Sequence, residues 1–433
     1  MRPLLPIFGL VASLAACGGG SSSPPDAAGP VQPVANPDRE VIDTKLSFDV
    51  TAMTGQASIT LDHSTAPGAS FEVGDLHIDT VTWSGADLPF AVASSRMDLG
   101  LPRLDVPTTI DVAFHWSLHS KFDGESATGF TFLWPYFCGN LFPCHSQPSD
   151  GTTFTLDVTG VPAGKTAVFP PAIPASAPAY QLAWSIDAYT QLDLGATTAG
   201  TQVSVWYRPN ELTKAMTGTQ HLVAAFDWLE KTLGPYRFGD HVGTVSVAWG
   251  PGAYGGMEHH PRWHVGATSL ANEVTNVHES AHGWFGDGIR LACWEDFVLS
   301  EGTVSYLAAR ALDVVAPAAG AQAWSDYASQ LAGIPGSNLV WPQTCGKVDV
   351  LKDHLFTNAP YMRGAFFYKA VADKVGAGLV DRALSTYYLA HAGATGSMAE
   401  MLETIHAVTG YDPGACAQIW LTSATTPQPG ACP

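Results

Sequence analysis

Positive charge is scarce in this chain. Lys and Arg number 20 against 39 Asp and Glu, a formal net charge of −19, so no strongly basic face is expected for nucleic acid or an anionic lipid surface. Charged residues of both signs make up only 14%, against 46% hydrophobic, which excludes long disordered stretches apart from tails. Cys-x-x-Cys is missing, and with it the usual cysteine metal sites. No internal repeat stands out. The apolar run at 4–16, which follows Arg2, falls short of the ~20 residues that a permanent membrane helix needs.

That run has the form of an export signal. It ends in Leu14-Ala15-Ala16-Cys17, similar to the bacterial lipobox, in which the cysteine is lipidated and becomes the new N-terminus. The reading is a signal peptide at 1–16 and a lipid on Cys17. A Gly-, Ser- and Pro-rich tether at 17–39 would then attach the protein to a membrane of the bacterial cell envelope. An ordinary signal peptide cut near Ala16 is the alternative. Six cysteines remain, an even number that suits disulfides in an exported protein. Short loops favour Cys138–Cys144 and Cys416–Cys432, which leaves Cys293 with Cys345.

From 41 to 207, short alternating runs (46–50, 58–61, 109–116, 152–158) are separated by Gly, Pro, Asp and Ser. This pattern predicts an antiparallel, sandwich- or saddle-like β domain over 40–208. The period then changes. Apolar residues recur at helical spacing over 212–233, a strand follows at 242–249, and helices are predicted at 269–284, 300–312, 361–375, 377–390 and 398–408. A mainly helical domain with a small sheet is expected over 209–433, enough chain for a second core.

Residues 278–282 read His-Glu-Ser-Ala-His. On a helix the two imidazoles share a face at ~6 Å and can bind one zinc ion. Glu279 lies beside them, free to take a proton from water. Glu301 follows eighteen residues after His282, with Ser300 as the expected N-cap of its helix. Two histidines and one glutamate leave a zinc position open, the mark of a catalytic site.

The segment from Val277 to Asp287, His-Glu-Ser-Ala-His-Gly-Trp-Phe-Gly-Asp after the valine, resembles the aminopeptidase N family of gluzincin metallopeptidases when taken with the Glu301 spacing. Further segments match in order: Gly255-Gly256-Met257-Glu258-His259 is similar to the family's exopeptidase motif, and Tyr361-Met362-Arg363-Gly364 to its Tyr-Glu-Lys-Gly segment. Phe142-Pro143-Cys144 with Pro148 echoes its Phe-Pro-Cys-x-Asp-Glu-Pro, and Trp420-Leu421 its catalytic-domain ending. The resemblance implies a saddle-like β domain before a thermolysin-like zinc-peptidase domain, in a short form without the helical C-terminal domain of larger members.

By the same resemblance His278, His282 and Glu301 are the zinc ligands, Glu279 the general base and Tyr361 the oxyanion donor. Glu258 would bind the substrate's α-amine, with Gly255, Gly256 and Met257 along the substrate backbone. Asp296 is a candidate to orient a zinc histidine. His259, His260 and His264 read as satisfied surface or pocket histidines. The chain departs from the family at His259, where Asn is usual, and at Ser146-Gln147-Pro148. Between 127 and 145 it also lacks the Gln or Glu that family aminopeptidases supply from the β domain. The expected activity is a zinc aminopeptidase on peptides, without an obligate protein partner. A zinc endopeptidase and a catalytically retired surface lipoprotein are the alternatives.

Overall fold

The computed structural model describes residues 29–250, 254–430 and 432–433. The signal segment and Cys17 lie outside the described residues.

In the first half, inward-facing alternation builds the sheet. Val41–Asp49 buries Thr44, Leu46 and Phe48, and Thr54–Leu61 buries Gly55, Ala57, Ile59 and Leu61. The seven-stranded sheet runs in the order 172–177, 152–159, 41–49, 54–61, 108–115, 77–83, 86–87. It is not wholly antiparallel, because Val41–Asp49 and Thr152–Thr159 pair in parallel across a long connection. Phe48 anchors the buried face, with Trp184, Trp116 and Phe114 at ring distances of 4.8, 5.3 and 6.1 Å. Such aromatic packing is worth more than its buried area alone.

The change of fold does not fall at 208. The hairpin of Thr190–Ala196 and Gln202–Tyr207 joins a five-stranded sheet through parallel pairing of Gln202–Tyr207 with His241–Val247. That sheet continues to His264–Gly266 and ends on the edge strand Gly256–Met257. The last strand of the first unit is Ser185–Asp187, so the division lies between 187 and 190. Hydrogen-bond partners, invisible in a local pattern, set it.

Among the described residues nine α-helices follow: α1 Leu212–Gly218, α2 Leu222–Leu233, α3 Glu273–Ala281, α4 Phe297–Val315, α5 Pro317–Ala332, α6 Asn358–Val375, α7 Ala377–His391, α8 Met398–Thr409 and the one-turn α9 Gly414–Ala417. The stretch 212–233 is two helices. Helix α5 has no counterpart in the sequence reading, since its buried stripe of Gly320, Ala323, Tyr327 and Leu331 is built largely of small residues. Helix α8 opens on a capping box between Ser397 and Glu400 and ends on left-handed Gly410, a standard start and stop. Helices α4 and α6 touch at two glycines. A methyl on Gly364 would lie 2.4 Å from the Gly302 Cα, and one on Gly302 would lie 2.7 Å from the Gly364 Cα. Arg363 ties the C-terminal segment to the same helix through Nε–H to the Trp420 carbonyl at 2.6 Å and Nη2–H to that of Ser423 at 2.9 Å.

All three disulfides join the expected pairs, Cys138–Cys144, Cys293–Cys345 and Cys416–Cys432. Among the described residues no helix is long and apolar enough to cross a membrane.

Candidate active site

Helix α3 is started by Asn272, whose Oδ1 accepts from Thr275 N–H at 3.0 Å, and it ends as His282 takes the C-cap position. One turn apart, His278 and His282 bring their rings to 4.9 Å. Glu301 reaches them from α4. Ser300 does not cap that helix, which begins earlier, at Phe297, after a 3-10 turn. Glu301 therefore sits in the second turn, where the Gly302–Gly364 contact sets its height against α6.

The three side chains converge. His278 Nε2 lies 3.2 Å from His282 Nε2 and 3.1 Å from Glu301 Oε2, and His282 Nε2 lies 3.4 Å from Glu301 Oε2. Tetrahedral ligands of one zinc ion, each at ~2.0–2.2 Å, stand roughly 3.3 Å apart, so this triangle fits one face of a zinc tetrahedron. The histidine far sides agree: His282 Nδ1–H donates to the Phe285 carbonyl at 3.0 Å, with Ser300 Oγ at 3.3 Å. His278 Nδ1 faces Ser305 Oγ at 3.5 Å. Such contacts hold the tautomer that turns the Nε2 lone pairs toward the metal position. Asp296 is not one of these partners. It accepts instead from Trp341 Nε1 and the Met398 amide, both at 3.0 Å, and so ties α4 to α8.

Charge points the same way. The cleft, about 430 Å3, is lined by Glu258, Glu279, Glu301 and Asp326 and by no Lys or Arg. Burial opposes a charge on His282, yet Glu301 and Glu258 raise its pKa to about 10. Burial likewise opposes a charge on Glu301, but His282 and then His278 hold it at about 2. A site this rich in carboxylates is suited to a bound dication.

Glu279 is buried, and its carboxylate rests on the backbone of Gly256, where a methyl would meet Oε1 at 2.3 Å. Only glycine allows that approach, which joins the edge strand to α3. Burial, with Glu258 and Glu301 nearby, raises the Glu279 pKa well above the usual carboxylate range. Glu258 lines the same cleft, 5% exposed, and burial pushes its pKa up to about 7. Tyr361, on α6, stacks on the His278 ring at 5.9 Å. Burial and the neighbouring Glu301 and Glu258 keep its phenol protonated. Gly255 and Met257 also line the cleft beside Glu258.

The histidines near Glu258 are neither surface nor pocket groups. His260 is fully buried and braces α3: its Nε2 lies 2.8 Å from the Glu279 carbonyl and its Nδ1 2.7 Å from the Tyr236 hydroxyl. Burial lowers its pKa to about 3. His259 and His264 are buried with rings 4.5 Å apart and no hydrogen-bond partner among the described residues.

Sequence reading missed the walls. Trp134, from the stretch where a Gln or Glu was sought, reaches the cleft and packs on Phe356 at 4.3 Å and Tyr254 at 6.4 Å. Tyr327 and Asp326 of α5 also line the cleft. No motif marks these residues, because they meet only through tertiary contact.

Residues 260–420 match the family model described as Peptidase family M1 domain. Among curated proteins, the chain is 27% identical to leucine aminopeptidase 2 of Candida glabrata over 227 residues, covering 48% of this chain and 34% of that protein. It is 25% identical to leucine aminopeptidase 2 of Neurospora crassa, covering 58% and 40%. For aminopeptidase N of Streptomyces lividans the identity is 25% and the coverage 36% and 19%. The matches thus span well under half the length of these relatives. Among solved structures, an M1 zinc metallopeptidase from Deinococcus radiodurans superposes with a TM-score of 0.76 at 20% identity, covering 90% of this chain and 96% of that one. A mutant M1 zinc metallopeptidase from the same organism, bound to a Tyr-Ser-Ala substrate, gives 0.77 at 19%, covering 91% and 96%. Residues 260–420 thus match a Peptidase family M1 domain, and with its β-then-helical architecture and the converging His278, His282 and Glu301 the chain is similar to aminopeptidase N-type gluzincins.

Proposed function

We propose that the protein is a zinc-dependent aminopeptidase that removes N-terminal residues from peptides. The observation that carries this reading is Glu258, a buried carboxylate in a cleft that no Lys or Arg lines among the described residues, beside the three converging donors. A buried carboxylate needs a cationic partner, and a substrate's α-ammonium supplies one through a charge-assisted hydrogen bond. That fixes the N-terminus, so the first peptide bond is the one presented to the metal position.

A zinc ion held by His278, His282 and Glu301 supplies Lewis acidity toward the scissile carbonyl and toward water. Glu279, with its raised pKa, takes the proton from the attacking water and returns it to the leaving amine. The protonated Tyr361 phenol donates to the carbonyl oxygen as negative charge grows there. Gly256, on the edge strand, and Gly255 just before it let the substrate backbone come close. Trp134, Tyr254 and Phe356 offer an apolar wall to a substrate side chain. An endopeptidase is the second reading. It is favoured by Trp134 standing where a polar amine ligand was sought, which leaves the amine to Glu258 alone.

Peptide digestion read by mass spectrometry separates the two. The zinc-loaded protein is expected to shorten free peptides one residue at a time and to spare N-acetylated ones. Glu258→Ala should lower kcat/KM on free peptides ~10- to 100-fold, the equivalent of ~1.5–3 kcal/mol. Internal cleavage of acetylated peptides, untouched by Glu258→Ala, would establish the endopeptidase.

We also infer an exported, lipid-anchored location, supported by the Leu14–Cys17 pattern and by disulfides of a kind formed outside the cytoplasm. In a Gram-negative host the full chain should partition into detergent and Cys17→Ser should not. Equal partitioning would favour an ordinary signal peptide.

A further inference from the structure

A second cavity, of about 470 Å3, opens between the two halves of the molecule, away from the metal position. Phe142, Pro143, Phe154 and Ala177 give it a buried apolar floor. Arg290 enters it from the second half and is 8% exposed. Its Nε–H donates to the Ser149 carbonyl at 3.1 Å. Nη1 donates to the Ser176 carbonyl, the Ser176 hydroxyl and the Gly393 carbonyl at 3.2, 2.8 and 3.1 Å. All these acceptors are neutral. Among the described residues Arg290 makes no ion pair, and its Nη2 has no partner. Charges this deeply buried are ordinarily paired. A caged guanidinium with one amino group left over, lining an apolar cavity of ligand size, has the makings of a carboxylate receptor.

The rim narrows the ligand. Asp38, Glu40 and Asp150 line the same cavity, as does buried Arg39, whose Nε–H and Nη1 donate to the Asp62, Gly68 and Pro102 carbonyls. Asp150 is shared with His145, whose Nδ1 lies 3.3 Å away, while Asp38 and Glu40 are exposed. A phosphate or sulfate would meet three carboxylates, and a simple cation would leave Arg290 unpaired. A molecule carrying both charges on a small head, with an apolar side chain, suits Arg290, the acidic rim and the apolar floor together.

We propose that this cavity between the two halves binds a free α-amino acid with an apolar side chain. Its carboxylate pairs with Arg290, its ammonium turns toward Glu40 and Asp38, and its side chain lies over Phe142 and Phe154. The site does not depend on the peptidase reading, since none of its groups belongs to the cleft.

Isothermal titration of the full chain with L-leucine tests it. Because the cleft can also hold an amino acid, the titration is repeated on Glu258→Ala, in which the cleft has lost its amine partner. Saturable binding is expected to persist in Glu258→Ala and to weaken ~10-fold or more when Arg290→Lys is added, the scale of a lost charge-assisted bond. Leucinamide and N-acetylleucine, each lacking one charge, should bind weaker by a similar factor. Arg290 also bridges the two halves, so Glu40→Gln, at an exposed position, serves as the second variant and should weaken leucine several-fold without loss of folding. The proposal is overturned by no saturable binding, by its disappearance in Glu258→Ala, by indifference to Glu40→Gln, or by leucinamide binding as well as leucine.

Discussion

At the residue scale, the proposed metal ligands and the proposed general base differ in what their atoms reach. His282 Nε2 stands among donors at bonding separation, whereas the Glu279 carboxylate lies against the Gly256 backbone. The two are therefore expected to fail differently. His282→Ala removes one donor of three, so zinc measured by elemental analysis should fall from one per chain to near none. Glu279→Gln keeps shape and metal but cannot accept a proton, so turnover should fall ~100-fold or more at unchanged zinc content. Full zinc in His282→Ala, or near-normal turnover in Glu279→Gln, would refute the respective assignment. The shared face of His278 and His282 was legible in the sequence because four residues on a helix advance about one turn, a purely local rule. The partners of the ligands were not. Ser305 and the Phe285 carbonyl meet the imidazoles through helix packing, and Asp296, nearer in motif, turns away to Trp341 and α8.

Among the helices, the α4–α6 crossing sets the geometry of the site. Gly302 and Gly364 are adjacent in space, which lets Glu301, the residue before Gly302, and Tyr361, one turn before Gly364, face one metal position. The glycine of the Tyr-Met-Arg-Gly segment is thus required for close approach and not for an unusual backbone conformation. Gly364→Ala should cost ~1–3 kcal/mol in urea unfolding, the usual price of overpacking. It should also reduce turnover, because Glu301 and Tyr361 are pushed apart. Unchanged stability and turnover would mean that the helices part without consequence. Helix α5 shows the limit of periodicity as a signal: Gly320 and Ala323 occupy half of its buried positions with small side chains, yet Tyr327 and Asp326 make it a wall of the cleft.

Across the whole molecule, the first half carries a pH-sensitive element of its own. Glu125 is buried there and accepts from Trp116 Nε1–H at 2.6 Å. Burial outweighs that bond and pushes its pKa up to about 7 from 4.5. A carboxyl whose folded pKa is raised binds its proton more tightly in the native state, so stability is fullest below pH 4.5 and declines as pH rises toward 7. The shift corresponds to about 3 kcal/mol. Glu125→Gln keeps an acceptor for Trp116 and removes the titration. Its stability relative to the parent should therefore rise between pH 5 and 8, read as the difference between two urea-unfolding series. Parallel pH profiles for the two proteins would show that Glu125 ionises freely.

The sequence by itself determined what depends on local spacing, namely strands first and helices later and the disulfide pairs, while resemblance to a known family singled out His278, Glu279, His282, Glu301, Glu258 and Tyr361. Periodicity and motif spacing record how neighbouring residues point, and those six sit on segments where a few residues fix the direction. Only the tertiary structure decided where the first unit ends, because the hairpin 190–207 looks like any other until it pairs with 241–247. Contacts across large separations decided the rest. Trp134 joins the cleft, and Arg290 joins the cavity between the two halves, through partners more than a hundred residues away, a relation on which chain order is silent.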